Sequence, residues 1–330
     1  MNLNSKKIKF KVKNKTEINR LNDISNIILQ KPFLKWLGGK TQIINDILKG
    51  FPNIINNYHE ICLGGGSVLF AVLSLQKQQK ITIRNNIYAY DKNKSLINVY
   101  KNIQTNYNEL FDYLTEFIKN YNNLSGIIIN RKPNNIEEAK TSKESYYYYL
   151  RSKFNTLDKN SVEYSALFIF LNKTCYRGVY RESTKTGFNV PFGHYKTTLN
   201  IFTKDELVKI SELIKNVEFI CADFTESLKN PIYGDYVYID PPYFPEKETS
   251  FVGYTIDGFD LNTHKKLFDD IKKLNDNNIK FSMSNAKVDI VLNIFKDFKY
   301  NIIDARRAIK VVKKKNNETG GTTKEIVIYN

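Results

Sequence analysis

No run of about 18 apolar residues occurs in the 330-residue sequence, which excludes a bilayer-spanning helix. Cysteine is scarce as well. Cys62, Cys175 and Cys221 are scattered too widely for a disulfide framework or a CxxC metal knuckle. Residues 1–15 lack the apolar core of a signal peptide, so a reducing, intracellular compartment is the expectation. Neither GxGxxG nor GxxxxGK[ST] is present, which argues against a dinucleotide or a nucleoside triphosphate as ligand. No internal repeat is visible. Acidic side chains are in deficit, 34 against 50 basic ones, and the formal net charge is +16. A surface this basic concentrates polyanions, which makes nucleic acid the leading partner. The competing reading is that an AT-rich coding sequence has filled the chain with Lys, Asn and Ile.

What remains is globular: 42% hydrophobic and 13% aromatic residues. The length exceeds one typical domain, which implies a large domain with an insertion or two domains sharing a cleft. Residues 1–30 read as a basic arm, because Lys7-Ile8-Lys9-Phe10-Lys11-Val12-Lys13 alternates in a lysine-dense stretch. Either phosphate contact or a solvated tail would account for it. A helical pattern through Ile43, Ile44, Ile47 and Leu48 follows Gly38-Gly39-Lys40. Residues 59–100 then read as strand, glycine turn, apolar helix over 68–75, strand over 87–90, and a helix opened by Asp91. That is a βαβ unit. Residues 105–215 read as a mainly helical insertion with an irregular loop over 177–195. Strands are predicted at 217–222, 236–239 and 279–283 and near Ile302 and 326–329, with a helix over 261–274.

Two stretches carry chemistry. Asp235-Tyr236-Val237-Tyr238-Ile239-Asp240-Pro241-Pro242-Tyr243 is an apolar strand ending in an acid, two prolines and an aromatic ring. In open α/β sheets ligands bind beyond the carboxyl ends of strands. The lone pair of an aromatic amine such as adenine N6 is delocalised into the ring, so that nitrogen is a poor nucleophile. The Asp240 carboxylate and the Pro241 carbonyl can accept both amino hydrogens and turn the lone pair toward a methyl donor. Pro241 and Pro242 stiffen the turn, and Tyr243 can stack on the base, a contact worth roughly 1–3 kcal/mol. Standing alone, the motif also fits an ordinary turn. Glu60-Ile61-Cys62-Leu63-Gly64-Gly65-Gly66-Ser67 follows a short strand and opens a helix, with glycines that permit positive φ and close approach of a ligand. Asp91, ending the next strand, is placed either to bind ribose hydroxyls or to cap a helix.

In order, Trp36-Leu37-Gly38-Gly39-Lys40, the glycine turn, Asp91-Lys92-Asn93, Phe188-Asn189-Val190-Pro191-Phe192-Gly193, Asp223-Phe224 and residues 240–243 closely resemble the Dam-type adenine-specific DNA methyltransferases. Ser282-Met283-Ser284-Asn285 and residues 323–328 resemble that family's closing strands. The resemblance covers roughly residues 31–330. It implies a doubly wound α/β sheet that binds S-adenosylmethionine through Trp36, Lys40, Glu60, Gly64, Gly65, Gly66, Asp91, Asp223, Phe224 and Asp240. It also implies catalysis by Asp240, Pro241, Pro242 and Tyr243 without a metal, since a sulfonium is already an activated methyl donor. The family commonly has Pro-Phe where Ile61-Cys62 stands here.

The resemblance divides the chain into a catalytic domain over 31–104 and 216–330 and a DNA target-recognition insertion over 105–215. Duplex DNA is the implied partner. A companion restriction endonuclease fits the same reading, and a monomer or weak dimer is expected. The target base must be flipped out of the duplex. Asn172-Lys173-Thr174-Cys175-Tyr176-Arg177-Gly178-Val179-Tyr180-Arg181 resembles the family's recognition loop. With Asn189 and Pro191 it supplies Tyr176, Arg177 and Arg181 as DNA-recognition candidates. Arg181 is placed to read guanine O6 and N7 or to contact phosphate. Many relatives carry Asn in place of Arg177, and Glu182 can accept from a cytosine amine, so the expected site is a CATG or GATC palindrome with a lean toward CATG. His194 and His264 lack partners for a triad or metal cluster, which leaves phosphate-contact and helix-start roles, and Cys175 reads as structural. The rival readings are a cytosine-N4 or RNA methyltransferase and an inactive DNA-binding relative.

Overall fold

The computed structural model describes residues 27–195, 197–245, 259–306 and 322–330. Most of the arm expected over 1–30 thus lies outside the described residues. Residues 27–30 are described and lie along the first long helix, where Gln30 N–H donates to Ser74 Oγ at 3.0 Å. In chain order the elements are α1 (Ile44–Leu48), β1 (Ile54–Ile55), β2 (Tyr58–Ile61), α2 (Ser67–Lys77), β3 (Thr82–Ile83), β4 (Ile87–Asp91), α3 (Lys94–Thr105) and α4 (Tyr107–Asn123). Next come α5 (Ile136–Ala139), α6 (Lys143–Phe154), α7 (Val162–Thr174), the short hairpin β5 (Glu182–Ser183) and β6 (Gly187–Phe188), and α8 (Lys204–Ile214). The chain closes with β7 (Val217–Cys221), α9 (Phe224–Ser227), β8 (Tyr236–Ile239), α10 (Leu261–Asp276), β9 (Lys280–Ala286), α11 (Asp289–Ile294), β10 (Lys299–Arg306) and β11 (Thr322–Tyr329).

A seven-stranded sheet in the order β10-β11-β9-β8-β2-β4-β7 forms the centre. β9, β8, β2, β4 and β7 are mutually parallel, whereas β11 runs antiparallel to both β9 and β10. Central parallel strands are covered on both faces and so carry continuous apolar sequence. β8, Tyr-Val-Tyr-Ile, is buried at every position. β2 is equally buried although it contains His59 and Glu60, and each finds a polar partner. His59 Nε2 lies 3.1 Å from Asp235 Oδ2, and the Tyr58 hydroxyl donates to Glu60 Oε2 at 2.8 Å.

Alternation along the strands sends side chains into two cores. One face contributes Tyr58, Ala89, Phe219, Tyr236, Tyr238 and Val327 to a cluster that continues through α2, α3 and α7. The other contributes Ile61, Tyr90, Val237, Ile239, Phe281 and Met283 to a cluster completed by α10 and α11. Helices therefore pack on both faces, the doubly wound arrangement expected from the sequence. α2 is apolar around its whole circumference and is buried from residue 68 to 75, as the core of a large domain requires. α10 buries His264, Leu267, Phe268, Ile271 and Leu274 at helical spacing. His264 stands in the first turn of α10, as the helix-start reading expected. The residue is fully buried, with ring centroids 5.0 Å from Phe244 and 4.7 Å from Phe259. Burial lowers its pKa to about 4, and the cap of α10 is Asp260, whose Oδ1 accepts from Thr263 N–H at 2.8 Å.

Between β4 and β7 lie five of these helices after α3, from α4 through α8, and an irregular stretch carrying the β5–β6 hairpin. The chain leaves β2 toward β4 and β7, then returns through β8 and β9 on the other side of β2. The sheet's switch point is therefore the gap between β2 and β8. In such sheets that crevice is where ligands bind.

Candidate active site

Register alone places the motif residues together. Ile61 pairs with Ile239 and with Tyr90, and Asp91 pairs with Cys221, so the carboxyl ends of β2, β8, β4 and β7 form one rim. Backbone bonds carry the alignment past the strands. Asp240 N–H donates to Ile61 O at 3.1 Å, Leu63 N–H to Tyr90 O at 2.8 Å and Ala222 N–H to Asp91 O at 3.1 Å. The rim opens into a cleft of about 1770 Å³ lined by Trp36, Lys40, Glu60, Gly64, Gly65, Asp91, Asp223, Phe224, Asp240, Pro241, Pro242 and Tyr243. A small-molecule pocket occupies roughly 300–1,000 Å³. The excess leaves room for a second occupant.

The glycine turn serves its neighbours on the protein side. Gly64 (φ +52°) and Gly66 (φ +70°) sit in left-handed conformations. A Cβ on Gly64 would come within 2.8 Å of Trp36 Cδ1, and one on Gly66 within 2.9 Å of the Tyr100 hydroxyl. The close approach expected of a ligand is therefore made on this side by the indole of Trp36. Trp36 in turn stacks on Tyr180 at 5.8 Å. Asp91 holds the turn from below: Oδ2 accepts from Gly64 N–H and Oδ1 from Asn93 N–H, both at 2.9 Å. The helix-cap role belongs to Asn93, whose Oδ1 accepts from Leu96 N–H at 3.0 Å. Each Asp91 oxygen retains a lone pair that can accept a hydroxyl. The Gly64→Ala variant is expected to lose about 1–3 kcal/mol of stability, because it combines an unfavourable φ with a clash against a ring. Thermal unfolding measures the loss, and an unchanged midpoint would mean that Trp36 moves aside freely.

Asp240 is the electrostatic centre. Its Oδ1 lies 2.9 Å from Lys40 Nζ, and Lys40 is 3% exposed. Lys40 also donates to the Gly38 carbonyl and stands 4.9 Å from the centroid of the Tyr243 ring. Burial pushes the Asp240 carboxyl above the ordinary aspartate range, Lys40 pulls it back, and Glu325 adds to the rise. Glu60 is pushed up to about 8, chiefly by burial, and is a neutral acid below that pH. Cys62 has φ +63° and lines the cleft, and burial raises its thiol above the ordinary cysteine range, which disfavours the reactive thiolate.

The recognition candidates fall into two groups. Arg177 and Arg181 line the same cleft as the motif residues. Tyr176 (48% exposed) projects outward with the Arg177 guanidinium 5.2 Å from its ring centroid, and its N–H is tied to Pro191 O at 2.8 Å. Asn189 and Pro191 do not line the cleft. Asn189 Oδ1 instead accepts from Arg181 Nε at 2.7 Å, which fixes the direction of that side chain. Glu182 is held by Lys159 at 3.2 Å. Cys175 is fully buried with its thiol raised to about 12, an inert structural cysteine. Lys35, Lys159, Tyr195 and Glu325 also line the cleft and were not singled out from the sequence. Lys35, adjacent to the motif that starts at Trp36, and Glu325, within the closing stretch 323–328, were the two whose places could have drawn attention.

Comparison with known proteins agrees with this geometry. A family described as D12 class N6 adenine-specific DNA methyltransferase matches residues 36–309. The chain is 35% identical over 288 residues to the Type II methyltransferase M.MjaIII of Methanocaldococcus jannaschii, covering 84% of this chain and 92% of that protein. To Type II methyltransferase M1.LlaDCHI of Lactococcus lactis it is 32% identical, covering 92% and 97%. The DNA adenine methylase of Haemophilus influenzae is 29% identical over 302 residues, covering 90% and 92%.

Proposed function

The chain belongs to the D12 class of N6 adenine-specific DNA methyltransferases, and on that premise we propose that it transfers a methyl group from S-adenosylmethionine to adenine N6 within a short palindromic duplex site. The observation that carries the reading is the position of Asp240-Pro241-Pro242-Tyr243. The turn leaves the sheet at its switch point, beside the glycine turn and Asp91, in a cleft that also takes in Arg177 and Arg181.

The residues present fit the cofactor. Asp91 retains lone pairs that would accept ribose hydroxyls, Asp223 and Phe224 would take the adenine ring, and Trp36, Lys40, Glu60, Gly64 and Gly65 line the remainder, whereas Gly66 faces Tyr100 and Phe70 and is not among the lining residues. When bound, S-adenosylmethionine supplies an electrophilic methyl group. Asp240 and the Pro241 carbonyl accept the two amino hydrogens of the target, Pro242 keeps the turn stiff, and Tyr243 stacks on the base. Positioning and acceptor polarisation supply the rate enhancement. The base reaches this turn by flipping, at an unstacking cost of a few kcal/mol. In this reading residues 31–104 and 216–330 are the catalytic part and residues 105–215 carry recognition through Tyr176, Arg177, Arg181, Asn189 and Pro191. A companion restriction endonuclease belongs to the proposal, in keeping with two relatives named Type II methyltransferases.

The proposed site is GATC or CATG. The lean is toward CATG, from Arg177 in place of the more usual Asn and from Glu182, which can accept from a cytosine amine; Glu182 is partly exposed and shares its carboxylate with Lys159 at 3.2 Å. Single-molecule sequencing of plasmid DNA from cells expressing the protein reads the modified adenines directly. Modified adenines scattered without a common site would contradict specific recognition. If Arg181 reads guanine, Arg181→Ala relaxes discrimination at that base by about 1–3 kcal/mol. Uniform weakening on all sequences would make it a phosphate contact.

A further inference from the structure

We propose that Glu325, on the terminal strand, is a positioning residue that orients Tyr243 for the target base; this rests on the reading of residues 240–243 as the base-holding turn. The Tyr243 hydroxyl donates to Glu325 Oε2 at 2.7 Å across 82 residues of sequence. β11 runs antiparallel to β9, and Glu325 pairs with Ala286, the last residue of β9. The start of β11 therefore lies at the rim where the parallel strands end. The neighbouring strand grips the same turn one residue later, since Phe244 N–H donates to the buried Asn285 Oδ1 at 3.0 Å. With Lys40 Nζ against the ring of Tyr243, both the phenol end and the face of that ring have fixed partners.

A carboxylate on this wall needs a reason. The cleft is proposed to admit a polyanion, so a negative charge there opposes binding by like-charge repulsion. Glu325 lines the cleft and is only partly buried, so it does not serve the core. What its charge provides is a charge-assisted acceptor for the phenol, a stronger and more directional partner than water. A stacking ring held in advance requires no reordering when the base arrives.

The test is a cycle of Glu325→Ala, Glu325→Gln, Tyr243→Phe and the Glu325→Ala/Tyr243→Phe double variant, with Asp240→Ala as reference. Turnover and KM are measured on duplex DNA, with 2-aminopurine fluorescence at the target position as a report on stacking. Glu325→Ala is expected to lower kcat about tenfold or more, to change 2-aminopurine fluorescence in the complex, and to leave the KM for S-adenosylmethionine within about twofold. Glu325→Gln, which keeps an acceptor, recovers most of the loss. Tyr243→Phe loses as much as Glu325→Ala, and the double variant loses no more than either, because the two share one interaction. If alanine lowers the unfolding midpoint, the Tyr243→Phe comparison still decides. Wild-type kcat in Glu325→Ala, or additive losses in the double variant, would overturn the role of Glu325 while Asp240→Ala remains inactive. An active Asp240→Ala would instead overturn the reading of the turn.

Discussion

Replacing Asp240 by alanine is expected to slow methyl transfer about a hundred- to a thousandfold, while the affinity for S-adenosylmethionine falls only a few-fold. The asymmetry follows from what the carboxylate touches. It stands where β8 ends at the switch point, and in the proposed reading it faces the target amine while the glycine turn, Asp91, Asp223 and Phe224, which line the same cleft, hold the body of the cofactor. Removing it leaves the Pro241 carbonyl as the single acceptor for two hydrogens. Lys40, which is 3% exposed, would lose its counter-charge, so a moderate fall in unfolding midpoint accompanies the loss. Asp240→Asn keeps the volume and one acceptor and should also lose most of the activity with less destabilisation. Single-turnover rates and calorimetric cofactor titrations separate the two effects. Equal losses in both would make Asp240 a cofactor ligand and no more.

The second large effect is expected from Lys40→Met. Burial raises the Asp240 pKa and the charge of Glu325 adds to the rise, while Lys40 opposes both. With Lys40 gone the pKa moves further up. Asp240 is a stronger, charge-assisted acceptor when ionised, and protonation weakens its grip on the amine, so the acid limb of the pH profile of kcat moves to higher pH. At neutral pH the variant is expected to be less active, by about one decade for each unit by which the pKa passes the assay pH, and to regain part of the loss in alkaline buffer. Lys40→Arg keeps a charge but not a compact one, and falls between the two. A pH profile that is lower but unmoved would show that Lys40 serves the cofactor and leaves the ionisation of Asp240 alone.

The parts of the site that were legible in the sequence are those whose chemistry is local. An apolar strand broken by Asp-Pro-Pro-Tyr, and another broken by three glycines, announce strand ends whatever the rest of the chain does. The register of β2 with β8 then brings them together. Asp91 was ambiguous because ribose binding and helix capping ask for the same residue type at the same place, and the structure assigns the cap to Asn93. His264 does stand at the start of a helix, but its burial was not legible, because a polar residue there resembles a surface position. Only the packing of α10 against Phe244 and Phe259 shows that it faces inward. The partners of Glu325 and Lys159 were invisible for a different reason. The contacts Glu325–Tyr243 and Lys159–Glu182 depend on crossovers of the chain that no local pattern encodes. Trp36 was expected to face the cofactor, and its motif does place it in the cleft. That the glycines below it are small in part to admit its ring became apparent only from the distances.

The central claim is that residues 240–243 present adenine N6 to the methyl donor. It is tested most directly by incubating the purified protein with duplex DNA and methyl-labelled S-adenosylmethionine, digesting the DNA to nucleosides and identifying the labelled product by mass spectrometry. The expected result is label in N6-methyl-2′-deoxyadenosine alone with the wild-type protein, and almost none with Asp240→Ala. Label in N4-methyl-2′-deoxycytidine, or undiminished N6-methyl-2′-deoxyadenosine from Asp240→Ala, would contradict it.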